Sequence, residues 1–183
     1  ESYGFAGDYE RQVQVLQDLV RRYPAAARDL LQLAALEAAQ GRFKAAAATL
    51  GRFEAEHSEA VNAETVEFLV GLLLDSAESE RAERRAQAWL ARRPDADMAA
   101  QFASLFLLKG APKRALTILE PFSLQAEGNE RVLRELTQIE VENQQQGRAL
   151  ERLDRLYGAK RMPASLTSSY LDLLLSRGEA ARA

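Results

Sequence analysis

The sequence has no cysteine and only one histidine, His57. Without cysteine there is no disulfide framework, no cysteine nucleophile and no thiolate zinc cluster, and one histidine does not assemble a convincing serine–histidine–aspartate triad. His57 also has no companion ligand for a metal ion. We therefore expect no enzyme active site, no metal site and no cofactor in this chain, and we expect His57 to cap a helix or to lie in a turn.

Excess positive charge and long apolar runs are also missing. The 24 Lys and Arg residues face 27 Asp and Glu residues, which gives a formal net charge of −3 and a pI near 5.4. Such a chain lacks the basic footprint that marks nucleic-acid binding. The longest apolar stretches, residues 68–74 and 103–108, are far shorter than the ~18–20 residues that span a bilayer. We expect no nucleic-acid partner and no direct membrane insertion of this segment.

Glycine and proline are scarce, with 10 and 5 residues, whereas 33 Ala and 28 Leu residues make a third of the chain strongly helix-forming. Apolar residues recur at spacings of three and four, as in Leu30, Leu33 and Leu36, and this spacing places them on one face of a helix. Proline lies where helices are predicted to begin or to be joined, at Pro24, Pro94, Pro112 and Pro163. The sequence therefore predicts an all-α fold.

A period of about 34 residues runs through the chain. A small residue early in the second helix of each unit recurs at separations of 36, 33, 34 and 34 residues: Ala46, Ala82, Ala115, Ala149 and Ala183. Apolar partners follow four and seven residues later, as Leu50 and Phe53, Ala86 and Trp89, Leu119 and Phe122, and Leu153 and Leu156. Membership in this series favours core packing for Trp89 over a surface that stacks on a sugar or anchors a partner.

A helix–turn–helix unit of this length, with Gly-x-aromatic at its turn, Ala four or five residues later and Pro at its end, resembles the tetratricopeptide repeat (TPR). The best matches contain Gly7, Gly41, Gly110 and Gly178. The third unit has residues 75–77 where the turn glycine is expected, and the fifth has Gly147 displaced toward its second helix. The resemblance implies an α-α superhelix, a solenoid of antiparallel helix pairs.

The resemblance also divides the chain into repeats. We predict one array over residues 1–183, with the second half of a repeat at 1–26, full repeats at 27–62, 63–95, 96–129 and 130–163, and a truncated repeat at 164–183. Both ends then fall inside repeats, and an uncapped solenoid end exposes the apolar face that a neighbour would cover. We expect a piece of a longer array that self-associates through its ends.

A TPR array implies a concave groove, lined by the first helices, that binds another protein. Aligning the repeats gives the candidate partner-binding residues Arg28, Glu64, Glu67, Asp97, Arg131, Arg134 and Gln138. The groove is predicted to be acidic around Glu64, Glu67 and Asp97 and basic around Arg131 and Arg134, which would orient a partner. The alternative is that these charges only solvate the helices. The Lys and Asn that one TPR subgroup uses to clamp a C-terminal carboxylate are absent.

A narrower resemblance is to the periplasmic TPR scaffolds of bacterial exopolysaccharide secretion systems of the Pel, alginate and cellulose type. It implies a place in a biofilm-related assembly in the periplasm, although the lack of cysteine fits the cytoplasm equally. Two function classes remain: a non-enzymatic protein-interaction scaffold, and a conduit element that contacts a polymer or carbohydrate. Contact with sugar would favour exposed aromatic residues on first helices, where only Phe68, Phe102, Phe106 and Tyr170 occur. The protein-binding function is therefore favoured.

Overall fold

The computed structural model describes residues 3–22 and 27–178, and all regular structure within these ranges is helical. The α-helices are α1 (Tyr3–Arg22), α2 (Ala27–Ala39), α3 (Phe43–Glu56), α4 (Ala63–Asp75), α5 (Ser79–Arg92), α6 (Ala96–Leu108), α7 (Pro112–Leu119), α8 (Glu130–Glu142), α9 (Gln146–Gly158) and α10 (Thr167–Ser176). Short 3-10 segments cover Ser58–Ala60, Glu120–Gly128 and Ala164–Leu166. The predicted all-α class, built from helix pairs, is confirmed. In the ranges just given, no helix is both long enough and apolar enough to span a membrane.

The chain divides into two compact units, residues 1–89 and 90–183, with the division inside α5. In unit 1, α2 packs against both α1 and α3, and α3 packs against α4. One apolar cluster joins the first three of these helices and consists of Val13, Leu16, Val20, Leu30, Leu33 and Phe53. Each helix contributes residues spaced three or four apart, so the cluster is the buried stripe that the sequence pattern predicts.

Unit 2 has its own core. Here α6 packs against α7 and α8, α8 packs against α9, and α9 packs against α10. The largest side chains that are fully removed from solvent in this unit are Phe102, Phe106, Ile118, Leu119, Leu133, Leu136, Ile139, Leu150 and Leu153. Burial of one such side chain contributes ~1.5–3 kcal/mol. The packing of first against second helices therefore supplies most of the stability of the unit.

The alanine series lies where the two helices of each pair approach most closely. Ala46, Ala82, Ala115 and Ala149 all have 0% of their surface exposed, and Trp89 is buried as predicted. Ala183, the last member of the series, and Pro24 lie outside the described residues. A buried alanine at each crossing permits helix contact without a cavity, which explains why the period is carried by small residues.

Each first helix ends in the same left-handed turn. The residue with positive φ is Gly41, Ala77, Gly110, Gln144 or Gly178, with φ between +61° and +75°. At the first of these turns, the Gly41 N–H donates to the Ala38 carbonyl and the Arg42 N–H donates to the Glu37 carbonyl, both at 2.9 Å. This is the Schellman arrangement, which satisfies the last carbonyls of a helix. The third and fifth units make the same turn without glycine.

Three local predictions have different outcomes. A turn at Gly7 is wrong, because the backbone of α1 is helical from Tyr3 to Arg22. Pro112 is the first residue of α7, as predicted. His57 ends α3 with its N–H donating to the Phe53 carbonyl at 2.8 Å, and its ring centroid lies 5.6 Å from that of Phe53. His57 therefore caps a helix, as predicted.

The left-handed turns yield a stability prediction. We expect Gln144→Gly to raise the melting temperature by roughly 2–4 °C, because a non-glycine residue at φ +61° carries about 1 kcal/mol of backbone strain that glycine lacks. The matched control is Gly110→Ala at the equivalent position, where φ is +68°, which should lower the melting temperature by a similar amount. Thermal unfolding followed by circular dichroism tests both. A melting temperature that falls in Gln144→Gly would contradict this account of the turn.

Candidate functional site

The first-helix face of unit 2 brings together side chains from α6, α8 and α10. Hydrogen bonds link α6 to α8: Asn129 Nδ2 donates to Asp97 Oδ1 at 2.9 Å, Arg131 Nη2 donates to Gln101 Oε1 at 3.3 Å, and Ser104 Oγ donates to Glu135 Oε2 at 2.7 Å. Beyond α8, Ser165 Oγ donates to Glu130 Oε1 at 2.6 Å. Asp97 and Arg131, two of the predicted partner-binding residues, are therefore hydrogen-bonded to neighbouring first helices.

Between α8 and α10 the face opens into a cavity of about 520 Å³. Its apolar lining comes from Val141, Leu166 and Leu173. Its polar lining comes from Arg134, Thr137, Gln138, Gln146, Ser169, Asp172 and Ser176. A volume of this size lies within the range of ligand-binding pockets, and an apolar wall with a few polar groups is their usual chemistry.

Several polar side chains of this cavity make no hydrogen bond within the described part of the chain. Thr137 and Ser176 donate to carbonyls of their own helices, at 2.8 Å each. Gln138, Gln146, Ser169 and Asp172 have no such partner among the described residues. Unused donors and acceptors beside an apolar wall are the groups that would recognise a ligand, because each gains a hydrogen bond when water is displaced.

Arg134 and Asp172 give the cavity one charge of each sign. Arg134, on α8, is half-exposed, and its Nε lies 4.0 Å from Glu135 Oε1, beyond hydrogen-bonding distance. Asp172 is exposed on α10. An arginine donates a planar fork of hydrogen bonds that suits a carboxylate, and an aspartate accepts from a cationic or amide group. Both charged groups remain available to a ligand.

Of the predicted site residues, Arg134 and Gln138 line the cavity, whereas Asp97 and Arg131 lie in the hydrogen-bonded row between α6 and α8. In unit 1, Arg28 is exposed on α2, and Glu64 is exposed and Glu67 half-buried on α4. A binding role for these seven residues stays a prediction. Sequence reasoning placed Ser165, Ser168 and Asp172 on this face but did not foresee that Ser169, Asp172 and Gln146 would line a cavity with α8.

A buried ion pair holds together the two helices on one side of the cavity. Glu140 of α8 is fully buried and accepts from both terminal nitrogens of Arg152 of α9, at 2.7 and 2.8 Å. Arg148 Nε lies 3.7 Å from Glu140 Oε1, and its Nη2 donates to Glu120 Oε1 at 2.9 Å. Forked pairing of this kind fixes geometry as well as charge. It sets the position of α8 relative to α9, and both helices contribute side chains to the cavity.

Charge within this cluster is stable to pH. The pKa of Arg148 is raised above its ordinary value, chiefly by the hydrogen bond to Glu120 and then, against the opposing effect of burial, by the attraction of Glu140 and Glu120. A guanidinium with a raised pKa stays protonated in any solution in which the protein is folded. Arg148 therefore supplies a permanent positive charge beside the buried carboxylate.

The register of the repeat reveals this pair. Glu140 lies four residues before the turn residue Gln144, and Arg152 lies eight residues after it. The same two positions hold Glu37 and Thr49 in the second repeat, where Thr49 Oγ1 donates to Glu37 Oε2 at 2.8 Å. They hold Phe106 and Ile118 in the fourth repeat, both buried. A glutamate at a position otherwise filled by Phe106 was the signal in the sequence.

Comparison with known proteins gives the fold. No family model and no curated protein matches the chain. Solved structures do: a tetratricopeptide repeat protein from Parabacteroides merdae ATCC 43184 matches with a TM-score of 0.60 and 17% identity, over 98% of this chain and 71% of that one. Two structures of MamA match with TM-scores of 0.57 and 16% identity, covering 96% and 98% of this chain and 87% and 94% of theirs. The chain therefore has the fold of tetratricopeptide repeat proteins, as the sequence predicts.

The buried pair yields a second stability prediction. We expect Glu140→Gln to cost about 3–5 kcal/mol of unfolding free energy, because it leaves the Arg152 guanidinium buried without its counter-charge. The double variant Glu140→Leu with Arg152→Met should recover most of that loss, since it removes both charges together. Chemical denaturation measures both values.

An exposed pair in the same unit provides the matched control. Arg155 and Glu127 lie 3.7 Å apart with 71% and 43% of their side chains exposed, so Glu127→Gln should change stability by less than about 1 kcal/mol. Equal costs for Glu140→Gln and Glu127→Gln would show that burial of the pair does not matter.

Proposed function

The tetratricopeptide fold is the premise for a functional proposal. We propose that this chain is a non-enzymatic scaffold that binds a segment of another protein on the first-helix face of unit 2. The cavity between α8 and α10 supports the proposal, because its side chains Gln138, Gln146, Ser169 and Asp172 have unused hydrogen-bonding capacity next to apolar walls. Stacked first helices form the extended binding surfaces that such solenoids use.

The lining of the cavity defines the chemistry of the bound segment. Val141, Leu166 and Leu173 accept an apolar side chain, which would act as the anchor. Arg134 pairs with a carboxylate of the partner, and Asp172 accepts a hydrogen bond from an amide or cationic group. A segment with an apolar residue between an acidic and a basic or amide-bearing residue fits this surface best.

Binding rather than catalysis is supported by the same list of lining residues. Arg134 and Asp172 are its only titratable members. Arginine keeps its proton at ordinary pH, so it does not act as a general acid or base, and one exposed carboxylate lacks a partner that would set a catalytic pKa. We propose no reaction for this cavity.

The aromatic residues of the first helices favour a protein over a polysaccharide as the ligand. Phe102, Phe106 and Tyr170 are buried, with at most 4% of their surface exposed, and only Phe68 is exposed at 37%. A sugar-binding groove needs aromatic faces that are open to the ligand. We propose that the chain serves a bacterial assembly, with periplasmic exopolysaccharide secretion as the setting that the sequence resemblance suggests, and that it contacts protein there rather than the polymer.

Peptide selection tests the binding site. Random peptides displayed on phage are selected on the intact chain, and the affinity of the selected peptides is then measured by calorimetry. We expect Arg134→Glu to weaken binding by roughly tenfold or more, because it places like charges at the rim of the cavity, and Ser169→Phe to weaken it by filling the cavity. The melting temperature should change little in both variants.

Arg131→Glu is the matched control for this test. It makes the same charge change on the same helix, but Arg131 donates to Gln101 and does not line the cavity, so affinity should change by no more than about twofold. The site assignment would be wrong if the selected peptides bound Arg134→Glu and Ser169→Phe as tightly as the unaltered chain.

Self-association also remains a prediction. Val15 is 58% exposed and Leu19 36% exposed on one face of α1, and Leu175 is 55% exposed on α10. Neighbouring apolar groups in contact with water favour association. We expect sedimentation velocity to show a concentration-dependent increase in mass that Val15→Glu with Leu19→Glu suppresses. A single monomeric species at high concentration would contradict this prediction.

A further inference from the structure

A second cleft, of about 400 Å³, lies within unit 1 on the second-helix side. Its floor is made by Leu69 and Leu73 of α4, and its walls come from α3 and α5. Ala47 and Ala88 line it with side chains too small to fill it. The cleft is therefore an apolar slot between two second helices, on different elements from the cavity of unit 2.

Gly51 keeps this cleft open. It lies inside α3, where glycine lowers helix stability relative to alanine, and it does not have the left-handed φ that would require glycine. A Cβ built on Gly51 would meet no atom within 4 Å, so close packing does not require glycine either. The missing side chain has one structural consequence, which is space in the cleft that Gly51 lines.

Arginine side chains form the rim. Arg81 and Arg84 are 60% and 67% exposed, and their ion pairs with Glu78 and Glu80 lie within α5. Exposed intrahelical pairs of this kind contribute little, so either arginine can exchange its glutamate for a carboxylate of a partner at small cost. Arg85 differs, because it is mostly buried and its Nε donates to Glu54 Oε1 of α3 at 3.1 Å. That pair braces the wall of the cleft.

We infer that this cleft docks an acidic segment of another protein, which places an apolar side chain on Leu69 and Leu73 and carboxylates on Arg81 and Arg84. Charge complementarity carries the choice of occupant: two exchangeable arginines stand above an apolar floor. A phosphate polymer fits less well, since Glu54 lines the cleft and Glu78 and Glu80 lie beside it, and a polyanion has no use for the floor. The inference concerns a different unit and goes beyond the function proposed above.

Nuclear magnetic resonance on the ¹⁵N-labelled full chain tests this site directly. The probe is a blocked synthetic peptide in which two leucines are flanked by glutamates. We expect the Gly51 amide signal to shift on titration. A peptide with serine in place of leucine should bind at least about tenfold more weakly, and a peptide with lysine in place of glutamate should not bind.

Two kinds of variant separate the cleft from the rest of the molecule. Arg81→Glu with Arg84→Glu should weaken binding by about tenfold or more, and Gly51→Leu should abolish it by filling the slot. The matched control is Gly71→Leu on α4, since Gly71 is also a helix glycine whose Cβ would meet nothing within 4 Å and does not line the cleft. Its affinity should stay within about twofold of the unaltered chain. Helix content measured for each variant verifies folding.

Three outcomes would overturn the proposal. The first is no shift of the Gly51 amide with the acidic peptide. The second is equal binding by Gly51→Leu and by the unaltered chain. The third is displacement of the peptide by heparin at equal charge concentration together with direct binding of heparin, which would assign the arginines to a polyanion. None of these outcomes bears on the cavity of unit 2, so the two proposals fail independently.

Discussion

The left-handed turn at the end of each first helix is the constraint on which the rest of the structure depends. Its residues, Gly41, Ala77, Gly110, Gln144 and Gly178, are spaced by 36, 33, 34 and 34 residues. Because each turn reverses the chain with the same hydrogen bonds, the position four residues before it always opposes the position eight residues after it. The turn also fixes the alanine at the helix crossing, which always follows it by five residues. The repeat is thus a repeat of backbone geometry, and the side chains that fill it are free to vary.

That freedom explains how one position can be either core or ion pair. The opposed positions hold Phe106 with Ile118 in one repeat and Glu140 with Arg152 in another, and both solutions are fully or nearly buried. The apolar solution gains from the removal of surface from water, whereas the charged solution gains only because the fork of Arg152 matches the carboxylate. The charged solution is the more demanding in geometry, and it occurs where α8 and α9 contribute side chains to the cavity.

The sequence predicts the fold well because its signals are periodic. The buried faces of α3, α5, α7 and α9, the burial of Trp89 and the start of α7 at Pro112 all follow from spacing and from proline chemistry. The site is less accessible. Alignment of the repeats places Arg131 and Arg134 on one face, but nothing in the sequence says that the first is hydrogen-bonded to Gln101 while the second borders a cavity. That distinction depends on how far α8 and α10 lie apart, and a spacing between helices has no local signature in sequence.

Glycine is where the sequence misleads and the structure informs. Turns that favour glycine have Ala77 and Gln144 instead, while Gly51, Gly71 and Gly147 lie in helices, where a Cβ would meet nothing within 4 Å. Nearest-neighbour packing of apolar faces is strong enough to hold a strained turn in place, so the turn tolerates the loss of its glycine. A helix glycine has no such explanation, since it neither relieves strain nor permits close packing. Its effect is on the shape of the surface, and surface shape in a solenoid decides what can bind.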